Sequence, residues 1–257
     1  MARFILNETS YFGAGCRAEL PNEIKSRGFG KAFIVTDKDL VKFGVVELVT
    51  KELDKAGIGY HIFSNIKANP TVKNVKDGLK EYYEYGADII VAIGGGSAID
   101  TSKAISVIVN NPDFSDVISL EGVANTKKKG VPIIALPTTA GTAAEVTINY
   151  VIIDEDTHRK MVCVDPHDIP VVSIIDAELM KSMPKGLTAS TGMDALTHAI
   201  ESYITPGAWE LSDMMEYKAI KLIAENLRDA VADGSNMIAR ENMALGQYIA
   251  GMGFSNV

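Results

Sequence analysis

Cysteine is scarce in this chain, with two residues among 257. Cys16 and Cys163 stand far apart, which excludes a disulfide framework and any cysteine-based metal spacing. Basic charge is in deficit as well. The 25 Lys and Arg against 33 Asp and Glu leave a net charge of −8, and a surface of that sign repels nucleic-acid phosphates. The densest basic run, Lys127-Lys128-Lys129 before Gly130, reads as a solvated loop. No apolar run is long enough to span a bilayer, and the amino terminus lacks the apolar segment of a signal peptide. With reduced thiols, the expected location is cytoplasmic, with neither nucleic acid nor membrane as a partner. Two phosphate-binding signatures are also missing. There is no G-x-x-x-x-G-K-[ST], so a P-loop is excluded, and no G-x-G-x-x-G follows the first strand, so an ordinary Rossmann fingerprint is excluded. What is present is a globular composition, 47% hydrophobic and 23% charged, long enough for one large or two ordinary domains.

Apolar runs bounded by glycine and proline then alternate with helical periodicity. A strand or strand pair is expected within residues 3–12, starting at Phe4-Ile5-Leu6, with Gly13 and Gly15 bounding the turn before a helix near 18–27. Strands follow at 31–37, 60–63, 89–94, 132–137 and 171–176, with helices at 45–56, 72–85 and 99–109, and a β-hairpin from 149–154 and 160–164. After Met183-Pro184 the pattern becomes helical, at 187–205, 208–232 and 237–252. The expected fold is therefore α/β, a Rossmann-like and mainly parallel sheet domain over 1–180 followed by an all-helical domain over 181–257.

Four groups of residues carry chemistry. In Ile93-Gly94-Gly95-Gly96-Ser97-Ala98-Ile99-Asp100, a buried strand runs into a glycine turn and a helix. Free amides at that helix start suit a pyrophosphate, with Ser97 capping the helix and Asp100 as its capping-box partner; a tight turn without a ligand is the other reading. Asp37 ends a buried strand. It can accept from both hydroxyls of an adenine ribose and repel a 2′-phosphate, favouring NAD over NADP, or it can simply cap a helix. Thr138, Thr139 and Thr142 cluster after another buried strand, where hydroxyls can hold ligand oxygens or cap their own turn. Asp194 and His198 lie four apart on one helix face, a spacing that serves a borderline divalent ion or an intrahelical pair. The remaining histidines point elsewhere: His61 to a structural place in a strand, His158 to a charged turn and His167 to a loop. Trp209 reads as a packing residue.

Taken together these motifs resemble those of the iron-containing (group III) alcohol dehydrogenase family, along essentially the whole chain. Gly94 to Asp100 is similar to its phosphate-binding turn, Pro137 to Thr147 to its second cofactor loop, and Gly192 to Glu201 to its first metal-ligand helix. Within the family, Thr147 to Val151, Val162 to Asp168 and Gly207-Ala208-Trp209 resemble the branch acting on lactaldehyde and 1,2-propanediol. The resemblance implies NAD-dependent, metal-assisted hydride transfer between small aldehydes and alcohols. It implies Asp37 and Asn69 at the adenosine ribose, Gly95, Gly96 and Ser97 at the pyrophosphate, and Thr138, Thr139, Thr142, Asn149, Lys160 and Leu179 along the cofactor cleft. Asp194 and His198 would ligate Fe(II), for which Zn is a conceivable substitute, and a homodimer would form through the amino-terminal strand region. The family pattern also holds two further histidine ligands, which would fall after Val257. With 257 as the end, the carboxyl-terminal part of the pattern would be absent, and the helix at 237–252 would expose an apolar face. The alternatives are a catalytically incomplete dinucleotide-binding fragment, or a related polyol dehydrogenase.

Overall fold

In the computed structural model, which describes residues 3–257, the apolar runs assemble into one six-stranded parallel sheet. Its strands are β1 (Thr9–Phe12), β2 (Lys31–Val35), β3 (Gly59–Phe63), β4 (Ile89–Gly94), β6 (Ile133–Pro137) and β9 (Val172–Ile175), in the order β1-β9-β6-β4-β2-β3. Every residue of β4, β6 and β9 is buried, as a parallel sheet covered on both faces requires. Alternate side chains then serve opposite faces. Phe33, Val35, Ile90, Ala92, Ile133 and Ala135 pack against α4 (Val72–Tyr85) and α5 (Gly96–Asn110). Ala32, Ile34, Ile89, Val91, Ile134 and Leu136 pack against α1 (Leu20–Ser26) and α3 (Val45–Ala56). Each such Ile or Leu, fully buried, contributes roughly 1.5–3 kcal/mol.

Two helices, α3 and α4, stop where the sequence predicts. Gly57 and Gly86 end α3 and α4 in the left-handed conformation, and Thr71 with Asn74 forms the capping box that starts α4. A five-residue helix, α2 (Lys38–Lys42), follows β2. A smaller sheet holds β5 (Gly122–Val123) beside the antiparallel hairpin of β7 (Asn149–Asp154) and β8 (Arg159–Val164). From β2 the chain goes first outward to β3 and then back to β4 on the other side of β2. This reversal makes β2/β4 the topological switch point, and open α/β sheets bind ligands beyond the strand ends there. Asp37 and Gly94-Gly95-Gly96 lie at that place.

After β9 come three long helices, α6 (Lys185–Ile204), α7 (Glu210–Ala232) and α8 (Met237–Phe254). Small residues seat them on the loop that follows β6. A Cβ added to Gly141 would lie 2.8 Å from Thr191 Cβ of α6, and one added to Gly251 of α8 would lie 2.6 Å from Val146 Cγ1. Among the described residues no helix is long and apolar enough to cross a membrane.

Three expectations are corrected. Phe4-Ile5-Leu6 forms no strand, because the Ile5 backbone is paired by a side chain: Ile5 N donates to Asn256 Oδ1 (2.6 Å) and Asn256 Nδ2 donates to Ile5 O (3.1 Å). Ser97 does not cap α5. The chain turns earlier, at Gly94 and the N-cap residue Gly95, so Ser97 lies inside the first turn, and Asp100 accepts from Val151 N rather than from the cap. Finally, α8 buries most of its apolar side chains. Its Met243, Ala244, Tyr248 and Ala250 are buried and Ile238, in its first turn, is exposed, while the other exposed apolar side chains include Met193, Ile200 and Ile204 on α6 and Met214 and Tyr217 on α7.

Candidate dinucleotide and metal cleft

The carboxyl ends of β2, β4, β6 and β9 open into one cleft of about 1060 Å³. Asp37, Asn69, Gly95, Gly96, Ser97, Thr138, Thr139, Thr142, Asn149, Lys160, Leu179, Asp194 and His198 all line it. Every residue selected from the sequence for a cofactor or metal is therefore brought to a single concavity.

The floor is made by two loops that touch. Gly94 has φ +159°, and Gly95 and Gly96 present bare backbone against the threonine loop. A Cβ on Gly95 would lie 3.0 Å from Thr139 Oγ1, and one on Gly96 would lie 2.9 Å from Thr142 Cγ2. A side chain at either position would fill the space between turn and loop, so the turn is built for close backbone approach. Asn69 (φ +57°) closes the cradle from one side, its amide donating to Ser97 Oγ at 3.2 Å. Asparagine tolerates this left-handed conformation better than most residues do. Asp37 caps α2, accepting from Leu40 N through Oδ1 at 2.9 Å. The helix-cap reading is thus realised, on a half-buried carboxylate that still lines the cleft. Leu179 is buried in the short turn Ala177–Met180, whose Glu178 amide donates to the Asp176 side chain, and Arg17 Nη1 donates to Asp176 at 2.6 Å.

The hairpin forms the wall. Val151 pairs with Val162 and Ile153 with Lys160. Alternation therefore puts Asn149, Val151, Val162 and Lys160 on the cleft face, while Tyr150, Ile152, Met161 and Cys163 face the core.

Across the cleft, α6 presents Asp194 and His198. His198 Nε2 lies 3.9 Å from Asp194 Oδ1, too far for a hydrogen bond. Its Nδ1 is buried without a partner, and its ring packs on Phe254 with centroids 4.8 Å apart. Nε2 is thus the nitrogen beside the carboxylate, and the two atoms form a mixed oxygen and nitrogen donor pair of the kind a borderline divalent ion takes. Among the described residues, no group of three or more His, Cys, Asp or Glu side chains is placed to hold a metal. The pair fits part of a metal site and is insufficient for a closed one.

The other histidines sit as expected. His61 contacts Glu81 (2.8 Å) and stacks on Phe33, His158 occupies the hairpin turn, and His167 lies in a loop beside Thr126. Trp209 packs edge-on to Phe4 and starts α7.

Sequence reasoning missed a buried polar group behind the hairpin. Lys103 of α5 is fully buried and donates to Thr147 O and Asn149 O, with Asp168 Oδ1 3.7 Å away. Burial lowers the Lys103 ammonium below its usual range and pushes the Asp168 carboxyl well above its own. Asp100 is pushed up to about 7 by burial, against the pull of Lys103 and the Val151 amide. The available signal was a lysine immediately before the mainly apolar run Ala104 to Val109, on a helix between two buried strands.

A parallel α/β sheet with a glycine turn at its switch point faces, across one cleft, a helix that carries an acid and a histidine. The chain belongs to the iron-containing alcohol dehydrogenase family. The model for iron-containing alcohol dehydrogenase matches residues 7–177, and that for the family's C-terminal region matches 188–257. The carboxyl-terminal pattern is therefore partly present, contrary to expectation. The chain is similar to lactaldehyde reductase of Escherichia coli (strain K12), 59% identical over 255 residues, which cover 99% of this chain and 66% of that protein. The crystal structure of a 1,3-propanediol oxidoreductase superposes with a TM-score of 0.96 at 41% identity, covering 100% of this chain and 66% of that one. The sulfoacetaldehyde reductase of Bifidobacterium kashiwanohense, solved in complex with NAD+, superposes with a TM-score of 0.91 at 33% identity, covering 100% and 67%. The chain thus spans 66% of the length of the lactaldehyde reductase it matches.

Proposed function

We propose that this chain is the cofactor-binding and part of the metal-binding portion of an NAD-dependent, metal-assisted oxidoreductase of small aldehydes and alcohols, of the lactaldehyde/1,2-propanediol type. The observation that carries the reading is the convergence of all the selected residues on one cleft at the switch point. Residues 1–180 are proposed as the NAD-binding unit and 181–257 as the helical, metal-binding one. A homodimer is proposed as the working assembly.

In this reading, Asp37 and Asn69 hold the adenosine ribose, and Gly95, Gly96 and Ser97 present backbone and hydroxyl to the pyrophosphate. Thr138, Thr139, Thr142 and Asn149 orient the dinucleotide along the wall, with Lys160 adding positive charge and Leu179 an apolar contact. Asp194 and His198 would hold Fe(II). When bound, the two groups supply hydride from the nicotinamide and Lewis acidity toward the substrate oxygen. The His198 and Phe254 rings, with centroids 4.8 Å apart, both line the helical side of the cleft.

The full-length protein should oxidise 1,2-propanediol with NAD when Fe(II) is supplied and lose that activity on exhaustive chelation. Equal turnover after chelation would remove the metal from the reaction. Among the described residues the cleft brings together Asp194 and His198 as donors, and a second reading is a dinucleotide-binding unit that holds no ion tightly. Titration of the 257-residue chain with Fe(II) separates them, since one tightly held ion per chain contradicts the second. Asp37→Ala should narrow the preference for NAD over NADP about tenfold, the scale of one charge-assisted contact. An unchanged ratio of the two kcat/KM values would take Asp37 out of the ribose site.

A further inference from the structure

The edge of β7 that faces away from β8 has no neighbouring strand, yet its backbone is not left bare. Lys103 Nζ donates to Thr147 O (2.5 Å), to Asn149 O (2.8 Å) and to Thr147 Oγ1 (3.2 Å). Asp100 Oδ2 accepts from Val151 N at 3.1 Å. One register step further, Ile153 N donates to Pro70 O at 2.8 Å. Residues 147, 149, 151 and 153 are alternate positions whose polar groups point to the same edge of the strand. Asp100 and Lys103 are three apart in α5 and so share one helix face. Together they do what a paired strand would do for this edge.

The location makes the arrangement functional rather than only structural. α5 begins at the glycine turn, and the hairpin supplies the cleft face of Asn149, Val151, Val162 and Lys160. The wall is therefore referenced to the same helix whose first turn forms the cradle. Lys103 lies in a dry environment, 0% exposed and next to Asp168, so these bonds operate without competition from water.

We propose that Asp100 and Lys103 are positioning residues, which fix the hairpin wall at the distance from the glycine turn that a dinucleotide requires. This rests on reading the cleft as a dinucleotide site. Asp100 also lines the cleft, and the role assigned to it here is exerted through the Val151 amide.

The test compares Asp100→Ala with Asp100→Asn in the full-length protein, because an asparagine oxygen can still accept from Val151 N. Amide hydrogen exchange is measured over residues 147–153 without ligand, and NAD affinity is measured by calorimetry. Asp100→Ala should speed exchange of the hairpin amides and weaken NAD binding, each about tenfold, while amides in β2 and β4 stay protected. Asp100→Asn should restore both. Lys103→Met should behave as Asp100→Ala does; should it fail to fold, the two Asp100 variants decide alone. Unchanged hairpin exchange in Asp100→Ala overturns the proposal. So does faster exchange with unchanged NAD affinity, and so does an asparagine variant that binds as poorly as alanine while its hairpin exchanges normally, which would mark Asp100 as a direct ligand contact. Wild-type protein that binds no NAD would overturn the dinucleotide reading instead, and the exchange data would still report whether the two side chains hold the hairpin.

Discussion

Gly94→Ala is expected to weaken NAD binding by about 10- to 100-fold. Gly94 is the last residue of β4, at φ +159°, where an L side chain is strained, and an added Cβ would lie 2.6 Å from the Ala98 Cβ in the first turn of α5. Ala98 Cβ is fixed to the helix backbone and cannot rotate aside. The helix start must shift, which is overpacking costing about 1–3 kcal/mol. Where that displacement falls on the cradle, it converts to the stated loss of affinity at about 1.4 kcal/mol per factor of ten. Gly94 O also accepts from Thr138 N at 3.0 Å, so the threonine loop moves with the turn. Calorimetric titration with NAD, run beside thermal unfolding, checks this. A variant that unfolds at a lower temperature yet binds NAD normally would show that the turn supports the fold without holding the dinucleotide.

Glu216→Gln should stabilise the protein, and the gain should grow with pH. Glu216 of α7 is fully buried between helices, with neither carboxylate oxygen hydrogen-bonded, and it faces the bare backbone of Gly253 on α8. Burial pushes its carboxyl up to about 8. In the unfolded chain this group ionises near 4.5. As pH rises from about 4.5 to about 8, the unfolded state releases the proton and the folded state keeps it, so wild-type protein loses stability through that window and no more of it beyond. Glutamine is neutral throughout. Its advantage should be small at pH 5 and reach roughly 2–4 kcal/mol above pH 8, each kcal/mol moving the midpoint by about 2–4 °C. Thermal unfolding of both proteins from pH 5 to 9 tests this, and an advantage that does not vary with pH would show that the buried carboxyl is already ionised.

The helices and strands were legible wherever burial and punctuation agreed. The run Ile89 to Ile93 reads as a strand covered on both faces, and Gly57 and Gly86 stop their helices because no other residue takes the left-handed turn as easily. The cleft was legible because its residues lie at strand ends, where an α/β fold puts ligands whatever its sequence. Three features were not. Phe4-Ile5-Leu6 looks like a strand until Asn256, 251 positions later, takes the Ile5 amide. Ser97 has the chemistry of a cap, yet the glycines let the chain turn before reaching it. The hold of Asp100 and Lys103 on the hairpin joins positions more than forty residues apart, which no local pattern encodes.

Gly141 is pressed against Thr191, and Thr191 is one helical turn from Asp194 on α6. The stretch of backbone that carries Thr138, Thr139 and Thr142 is thus also the seat of the helix that presents the acid and the imidazole. In the proposed reading, a dinucleotide on one side of the cleft and an ion on the other rest on this shared support. By thermodynamic necessity, any factor by which a dinucleotide alters the affinity for an ion is the factor by which the ion alters the affinity for the dinucleotide. In the proposed reading, the two ligands share a single joint binding equilibrium.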